Sequence, residues 1–283
     1  MKVKIITDSA SDISQLEASE LGINVMPIKI IFKEEEFYDG VTINNEEFYK
    51  RLIEGEDFPK TSQISPYEYE QEFKKYEGEE LIVITLSKHL SGCYQSALLA
   101  SKNFSNVHVI DSASVTIGQQ ILVKYALKLS TEGKRAKEIV DLVELAKKDL
   151  CLVAVLDTLE YLKKGGRISA TTAFVGTILS IKPVVAVKDG KVKMLGKARG
   201  SKNGNNMLRK IVKEKGGINE DLPYKVAYAG LSDSSMKKYL KDSKDLYSAK
   251  VSDVPVGTIG ATIGTHVGPG AVAVAFFKNN KHE

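Results

Sequence analysis

Residues 81–110, LIVITLSKHLSGCYQSALLASKNFSNVHVI, decide the fold class. They begin with the continuous apolar run LIVIT, continue with helical spacing from about Ser91 to Lys102, and end with the β-rich run VHVI. A strand without polar alternation is typical of a parallel sheet that is covered on both faces. Because parallel neighbours need a crossover connection, this stretch predicts a strand–helix–strand unit.

The same alternation extends on both sides of this unit. Further strands are predicted at KVKIIT, NVMPIKIIF and CLVAVL, with Pro27 placing the second at an edge. Helices are predicted over DISQLEASELG, from Ser65 to about Gly78, after Ser114, and from about Arg135 to Asp149. SPYE supplies the capping box of the second helix. We therefore predict an α/β N-terminal domain with a mostly parallel sheet flanked by helices.

The second half of the chain has a different pattern. Asp189-Gly190 stands between two alternating β runs, which predicts a hairpin. Helix and strand patterns then follow in NNMLRKIVKEKG, YKVAYAG, SSMKKYLKD, YSAKVS, the Gly-rich segment VGTIGATIGTHVGPG and the strand AVAVAFF. This predicts a C-terminal α+β domain with a mixed sheet. We place the domains at 1–162 and 163–283, with a ligand site between them.

Composition excludes several classes of protein. The 40 Lys and Arg residues exceed the 36 Asp and Glu residues only slightly and form no basic block with aromatics, which argues against nucleic-acid binding. The chain lacks an apolar run of the ~20 residues that span a bilayer, so we expect no stable membrane insertion. Cys93 and Cys151 lack metal-ligand spacing and are expected to be free thiols in the cytoplasm. We predict a monomer without metal or cofactor.

Polar side chains follow three predicted strands at the point where each strand ends. Asp8, the stretch 85–92 and the stretch 111–114 should meet at one edge of the sheet. In TDSASD, Asp12 could bind a phosphate or metal, but a helix cap is the favoured interpretation. Ser91-Gly92 could bind an anion at a helix N-terminus, or Ser91 could simply cap its helix. A nucleophilic Ser91 is disfavoured because HLSGC lacks the first glycine of Gly-x-Ser-x-Gly.

Other candidate ligands lie in loops. Thr61 and Ser62 precede the capped helix and are free to donate to a ligand. Arg167 follows two glycines and could bind a carboxylate or form an interdomain salt bridge. His266, among glycines and a proline, could belong to a site or be structural. Arg199 lies in the basic stretch KARGSKNG, predicted as a loop that is either solvated or a docking patch.

Taken together, these stretches resemble the DegV family of bacterial fatty-acid-binding proteins, nearly end to end. The resemblance rests on eight motifs in order, namely DSASD, KTSQISP, HLSGCYQSA, VIDSASVTIGQ, LEYLKKGGRIS, LSIKPVV, KARG and THVGPGAV. It implies two α/β-type domains that enclose a long-chain fatty acid, palmitate-like in size. It also implies that a fatty acid kinase phosphorylates the carboxyl group of that acid while the carrier holds it.

The resemblance also implies roles for individual residues. The family's carboxylate ligands match Thr61, Ser62, Ser91 and Gly92, and the rest of the polar network around the head group matches Arg167 and His266. Arg199 matches the basic position that docks the kinase. Cys93 is a departure, since family members often have threonine there. Apolar segments 174–181 and 256–264 are candidate linings for the acyl chain, although most of their residues are expected to be ordinary core.

Three functions remain open from the sequence. The leading hypothesis is a non-catalytic carrier of fatty acids for phospholipid metabolism. The second is a hydrolase or phosphotransferase that uses Ser91, His266 and an acid such as Asp8 or Asp111, although no complete nucleophile, phosphate-loop or metal signature is present. The third is a lipid-sensing regulatory module that binds a partner through the KARG stretch.

Overall fold

The strands follow the apolar runs of the sequence. The structure, a computed structural model, describes residues 3–55, 57–168 and 180–279. Its strands are β1 Val3–Asp8, β2 Asn24–Met26, β3 Lys29–Phe32, β4 Glu35–Tyr38, β5 Lys60–Ser62, β6 Glu80–Thr85, β7 Val107–Asp111, β8 Leu150–Val155, β9 Ile181–Lys188, β10 Lys191–Arg199, β11 Lys225–Tyr228, β12 Val256–Thr258 and β13 Val272–Phe277.

The helices alternate with these strands over most of the chain. They are α1 Gln15–Leu21, α2 Asn45–Glu54, α3 Pro66–Phe73, α4 Cys93–Ser101, α5 Thr116–Thr131, α6 Ala136–Ala146, α7 Glu160–Lys164, α8 Gly200–Glu214, α9 Ser234–Asp242 and α10 Ala261–Val267. The predicted capping box is present at α3, where Ser65 and Glu68 satisfy each other's backbone N–H groups.

A four-stranded parallel sheet forms the N-terminal layer, in the order β2-β1-β6-β7. The opening strand–helix–strand unit is present as β6, α4 and β7, and β6 and β7 pair in parallel. Leu81 to Thr85 are buried, which explains why β6 carries no polar alternation. A small antiparallel sheet, β4-β3-β5, packs at the side and carries Thr61 on its edge strand.

A six-stranded mixed sheet forms the second layer, in the order β10-β9-β8-β13-β11-β12. The hairpin predicted at Asp189-Gly190 joins β9 to β10, and both turn residues have positive φ, as a type I′ turn requires. The predicted fold class is confirmed: a parallel sheet flanked by helices plus a mixed sheet. The boundary at 162/163 stays a prediction; β8, on its N-terminal side, pairs within the larger sheet.

Helix α5 lies between the two sheets and contacts β1 and β6 on one side and β8, β11 and β13 on the other. Its residues are therefore buried around most of its circumference, including the polar Gln119 and Gln120. One core cluster extends across both sheets through this helix, and a second fills the opposite face of the large sheet under α8 and α9. Any cavity at the edge of α5 consequently touches both layers.

Several local predictions are wrong, and the reasons are physical. NVMPIKIIF forms two strands, because Pro27 cannot donate to a ladder and the chain moves there from one sheet to another. YSAKVS contains a single turn of 3-10 helix at 251–253 and no strand. The basic stretch 197–204 is not a loop, since it ends β10 and begins α8.

Candidate functional site

A cavity of about 150 Å³ lies where the loops after β5 and β6 meet α7 and α10, and we call it the polar cavity. Its lining comes from both halves of the chain. The lining residues are Ile28, Thr61, Ser62, Gln63, Leu86, Leu90, Ser91, Gly92, Val115, Leu162, Arg167, Val192, Thr262, Ile263, His266 and Val267. All six candidate ligand residues therefore line one cavity, while their individual roles stay a prediction.

Thr61 and His266 meet across this cavity, although 205 residues separate them in the chain. Thr61 lies on β5, which pairs with β3, and this pairing turns its hydroxyl toward α10. The Thr61 Oγ1 to His266 Nε2 distance is 3.1 Å, which is a hydrogen bond. The edge strand and the last turn of α10 thus form one polar wall.

Two aspartates, the buried Asp39 and the partly buried Asp12, hold α10 in place. Asp39 accepts hydrogen bonds from the N–H groups of Ala261 and Thr262, and Asp12 accepts one from Gly260 N–H at 2.9 Å. A carboxylate at a helix N-terminus satisfies N–H groups that have no partner within the helix. The prediction that Asp12 caps α1 is therefore wrong, because Ser14 caps that helix. Asp12 instead anchors the helix that carries His266.

Burial raises the pKa values of these carboxyl groups. The pKa of Asp12 rises to about 8, because burial outweighs its hydrogen bonds from Thr116 and Gly260. The pKa of Asp39 is also raised, mainly by burial. Asp8 is also fully buried and accepts from Leu86 N–H, with a pKa raised to about 6. These acids are structural neighbours of the cavity and do not line it.

The His266 imidazole is neutral. It is 9% exposed, and its pKa falls to about 3 because of burial and then the positive charge of Arg167. Its Nδ1 makes no hydrogen bond within the described residues. Gly165 lets Nδ1 approach the end of α7 this closely, because a Cβ there would overlap the ring. The ring is thus fixed between Thr61 and a glycine.

We expect the imidazole of His266 to stay neutral from pH 8 down to about pH 4. Because its folded pKa lies below the ordinary value of 6.5, the stability that this group contributes is complete above about pH 6.5 and is lost as pH falls toward 3. NMR titration of the ring, with His266→Gln to assign the signal, checks this. The stability difference between the two proteins should shrink by roughly 1.4 kcal/mol per pH unit in that window. Titration near pH 6.5 would contradict the described burial.

Arg167 is a half-buried cation without an acidic partner. Its Nε donates to Leu90 O at 3.1 Å and its Nη1 to Gly165 O at 2.5 Å. No ion pair joins Arg167 to an acid anywhere in the described ranges, and burial lowers the pKa of its guanidinium. The predicted alternative, an interdomain salt bridge, therefore has no support here. A guanidinium keeps its charge in such a place, so the cavity wall presents a fixed positive group.

Ser91 and Gly92 stand at the start of α4. Gly92 occupies the N-cap position, and the Ser91 hydroxyl makes only long contacts of 3.4 Å with Cys93. The predicted cap role of Ser91 is therefore weak, and its hydroxyl faces the cavity beside the first N–H groups of the helix. Burial raises the pKa of Cys93 to about 12, so this thiol is unreactive.

A second cavity, of about 60 Å³, adjoins the polar cavity, and we call it the apolar cavity. The two cavities share five lining side chains: Val115, Leu162, Val192, Ile263 and Val267. The remaining lining is aliphatic apart from Thr116 and comes from α5 and the inner face of the large sheet. Of the predicted linings, Ile259 and Ile263 are present, whereas 174–179 lie outside the described residues. Polar groups therefore stand at one end and aliphatic groups at the other.

Some residues of the site escaped the sequence analysis. Gln63 lines the polar cavity and donates to Ser96 Oγ at 3.0 Å, close against Gly92. Asp39 was not among the candidates, because no local pattern indicates that it reaches α10. Arg199, the predicted docking residue, lies outside the cavity at the exposed end of β10. Its position fits a surface role.

A family model settles the chain's relationships. The model of the DegV family, described as uncharacterised proteins, matches residues 2–279. This chain belongs to the DegV family. The resemblance that the eight motifs predicted is therefore confirmed. A DegV domain-containing protein of Caldanaerobacter subterraneus is 34% identical over 284 residues, covering 97% of this chain and 98% of the relative.

Solved DegV structures share the fold. A DegV family protein from Thermus thermophilus, described by its fatty acid binding, has a TM-score of 0.86 and 29% identity, covering 98% of this chain and 100% of its own. A DegV lipid-binding protein from Thermotoga maritima has a TM-score of 0.85 and 28% identity, covering 97% and 98% of the two chains. Across the residues described for this chain, no helix combines the length and apolar character that a bilayer crossing needs.

Proposed function

We propose that this DegV protein binds one long-chain fatty acid, with the carboxylate in the polar cavity and the acyl chain in the apolar cavity. Arg167 carries the proposal, because its half-buried guanidinium pairs with no acid of the described ranges and lines the cavity together with three hydroxyl groups and a helix start. Ser62, Ser91 and Thr61 supply neutral donors, and Gly92 lets the ligand approach the backbone. Fatty acid binding by the Thermus thermophilus relative supports this ligand class.

The acyl chain supplies most of the binding free energy. Each buried methylene contributes about 0.8 kcal/mol, so a sixteen-carbon chain offers roughly 11–12 kcal/mol before losses. Ordering of ligand and protein offsets part of that. The carboxylate adds little net affinity, but a buried carboxylate needs charged or hydrogen-bonded partners. The polar cavity therefore determines which way the acid enters.

The same geometry argues against catalysis by Ser91. A serine hydrolase needs a basic imidazole on the nucleophile and an acid on the other ring nitrogen. The Nε2 of His266 bonds Thr61, and its Nδ1 has no acidic partner among the described residues. With a pKa of about 3, this ring is a poor general base. Asp8 and Asp111 bond other groups, namely backbone N–H groups near β6.

We propose a cytoplasmic carrier that presents its ligand to a fatty acid kinase. Arg199 supports a docking role, since it is exposed between Lys197 and Lys202 and has no acidic partner within the described part of the chain. Exposed charges of one sign promote association with a surface of the opposite sign. The two cysteines are free, which suits a reducing compartment.

Extraction of the purified protein should release about one fatty acid per chain, identified by mass spectrometry. Ser91→Ala should retain less acid, because a buried carboxylate loses one donor, roughly 1 kcal/mol. Neither protein should turn over acyl or phosphate esters. Ser101→Ala is the matched control, since its hydroxyl bonds Leu98 O within α4, away from the cavity. Protein that is empty and takes up neither palmitate nor oleate would refute the proposal.

A further inference from the structure

A third cavity, of about 380 Å³, opens beyond the apolar cavity, and we call it the lysine cleft. It lies where the loop after β7 and the end of α6 meet the large sheet, at the start of β8, the end of β9 and the residue after β13. Five lysines line it against two acidic residues, Glu144 and Asp189. Such an excess of one charge within a concave site raises the local concentration of anions.

Most of this positive charge is not neutralised. Lys147 pairs with Glu144 at 2.6 Å. Within the ranges that the structure describes, Lys148, Lys188 and Lys215 form no ion pair. Lys215 and Lys278 line the same cleft as Cys151, whose thiol has a pKa raised by burial, and the charges of both lysines oppose that shift.

The lysine ammonium groups are the charged donors that this cleft offers to a ligand. Ser114 belongs to the cleft wall, but its Oγ is buried against Gly118 of α5 and does not face the cleft. Lysine ammonium groups are common ligands of phosphate.

The floor of the cleft is aliphatic. Leu150, Leu152 and Leu195 line it, and Leu195 is 39% exposed there. No aromatic side chain lines this cleft in the described ranges, so a nucleobase would have no ring to stack on. Leu152, Ala186 and Val187 belong to the walls of both the lysine cleft and the apolar cavity.

We propose that the lysine cleft is a second ligand site, for a phosphate monoester carried on an alkyl chain. The dianionic phosphate lies among Lys148, Lys188 and Lys215, which line the cleft without an ion pair in the described ranges. The alkyl chain covers Leu195 and the neighbouring leucines. The site is separate from the proposed fatty acid site, and no group on Arg167 or His266 takes part.

Titration calorimetry with octyl phosphate, below its micelle concentration, tests the site. Lys188→Glu/Lys215→Glu should weaken binding at least tenfold. Lys191→Glu/Lys193→Glu is the matched control, because it changes the charge equally at exposed positions of β10 that do not line the cleft. Equal weakening in both double variants would overturn the proposal, since the effect would then be long-range and not local.

Four further ligands test which part of octyl phosphate is recognised and whether the cleft is separate from the proposed fatty acid site. Inorganic phosphate and octanol should each bind at least tenfold more weakly than octyl phosphate, and ATP should bind no better than inorganic phosphate. Tight binding of inorganic phosphate or ATP would overturn the alkyl assignment. Saturating palmitate should leave octyl phosphate bound. Full displacement by palmitate would overturn the site, whereas failure of palmitate itself to bind would affect only the proposed carrier function.

Discussion

Replacing Arg167 by methionine should lower the affinity for palmitate by about a hundredfold or more. The guanidinium is the only cation that lines the described polar cavity, and methionine keeps much of its apolar stem. A buried carboxylate that loses its charged partner costs about 3 kcal/mol, which is roughly a hundredfold in the dissociation constant. Fluorescent fatty acid displacement measures the change.

The controls separate charge from folding. Arg167→Lys keeps a cation and should recover part of the affinity, although lysine cannot reproduce both bonds to Leu90 O and Gly165 O. Arg199→Met removes an exposed arginine outside the cavity and should retain palmitate fully while losing kinase-dependent phosphorylation of the bound acid. If Arg167→Met binds palmitate as tightly as the parent, the carboxylate lies elsewhere.

Replacing Gly268 by alanine should lower the free energy of unfolding by about 3 kcal/mol or more. Gly268 ends α10 with φ +69° and ψ 175°, a conformation that alanine adopts only with strain. A Cβ there would also overlap the ring of Tyr161, which packs against Phe58 and would have to shift. Denaturant unfolding monitored by circular dichroism gives the difference.

Gly133→Ala is the matched control for this substitution. Gly133 also has a positive φ, of +82°, but a Cβ there meets no atom within 4 Å. Its cost should be about 1 kcal/mol, the conformational part alone. Equal losses in the two variants would mean that the Tyr161 contact contributes nothing and that α10 is not held at this point.

Local sequence patterns predicted the structure correctly where the conformation of an element depends only on its own residues and their neighbours. The run LIVIT had only one compatible environment, a strand covered on both faces, and β6 has it. The Asp189-Gly190 turn and the Ser65 capping box depend on neighbouring residues only, and both are present. The order of strand ends along one edge was the reason to expect Asp8, 85–92 and 111–114 to be close. Only the family resemblance placed Thr61 beside Ser91.

Patterns failed where a distant partner decides the role of a residue. The helix that follows made Asp12 a plausible cap. In the structure, however, its carboxylate accepts a hydrogen bond from the N–H of Gly260, 248 residues away. Asp39 similarly bonds Thr262 across 223 residues. Asp39 is buried and Asp12 is partly buried without any local sign of it, because their surroundings depend on how α10 packs against the N-terminal layer. The unpaired state of Arg167 is equally a property of the assembled fold.

Strand β13 lies between β8 and β11, which were both synthesised earlier. Without residues 272–277, the large sheet consists of the two fragments β10-β9-β8 and β11-β12, each with an open edge. Such edges attract other chains. The large sheet therefore becomes continuous, and these two edges are covered, only when β13 has been inserted between them.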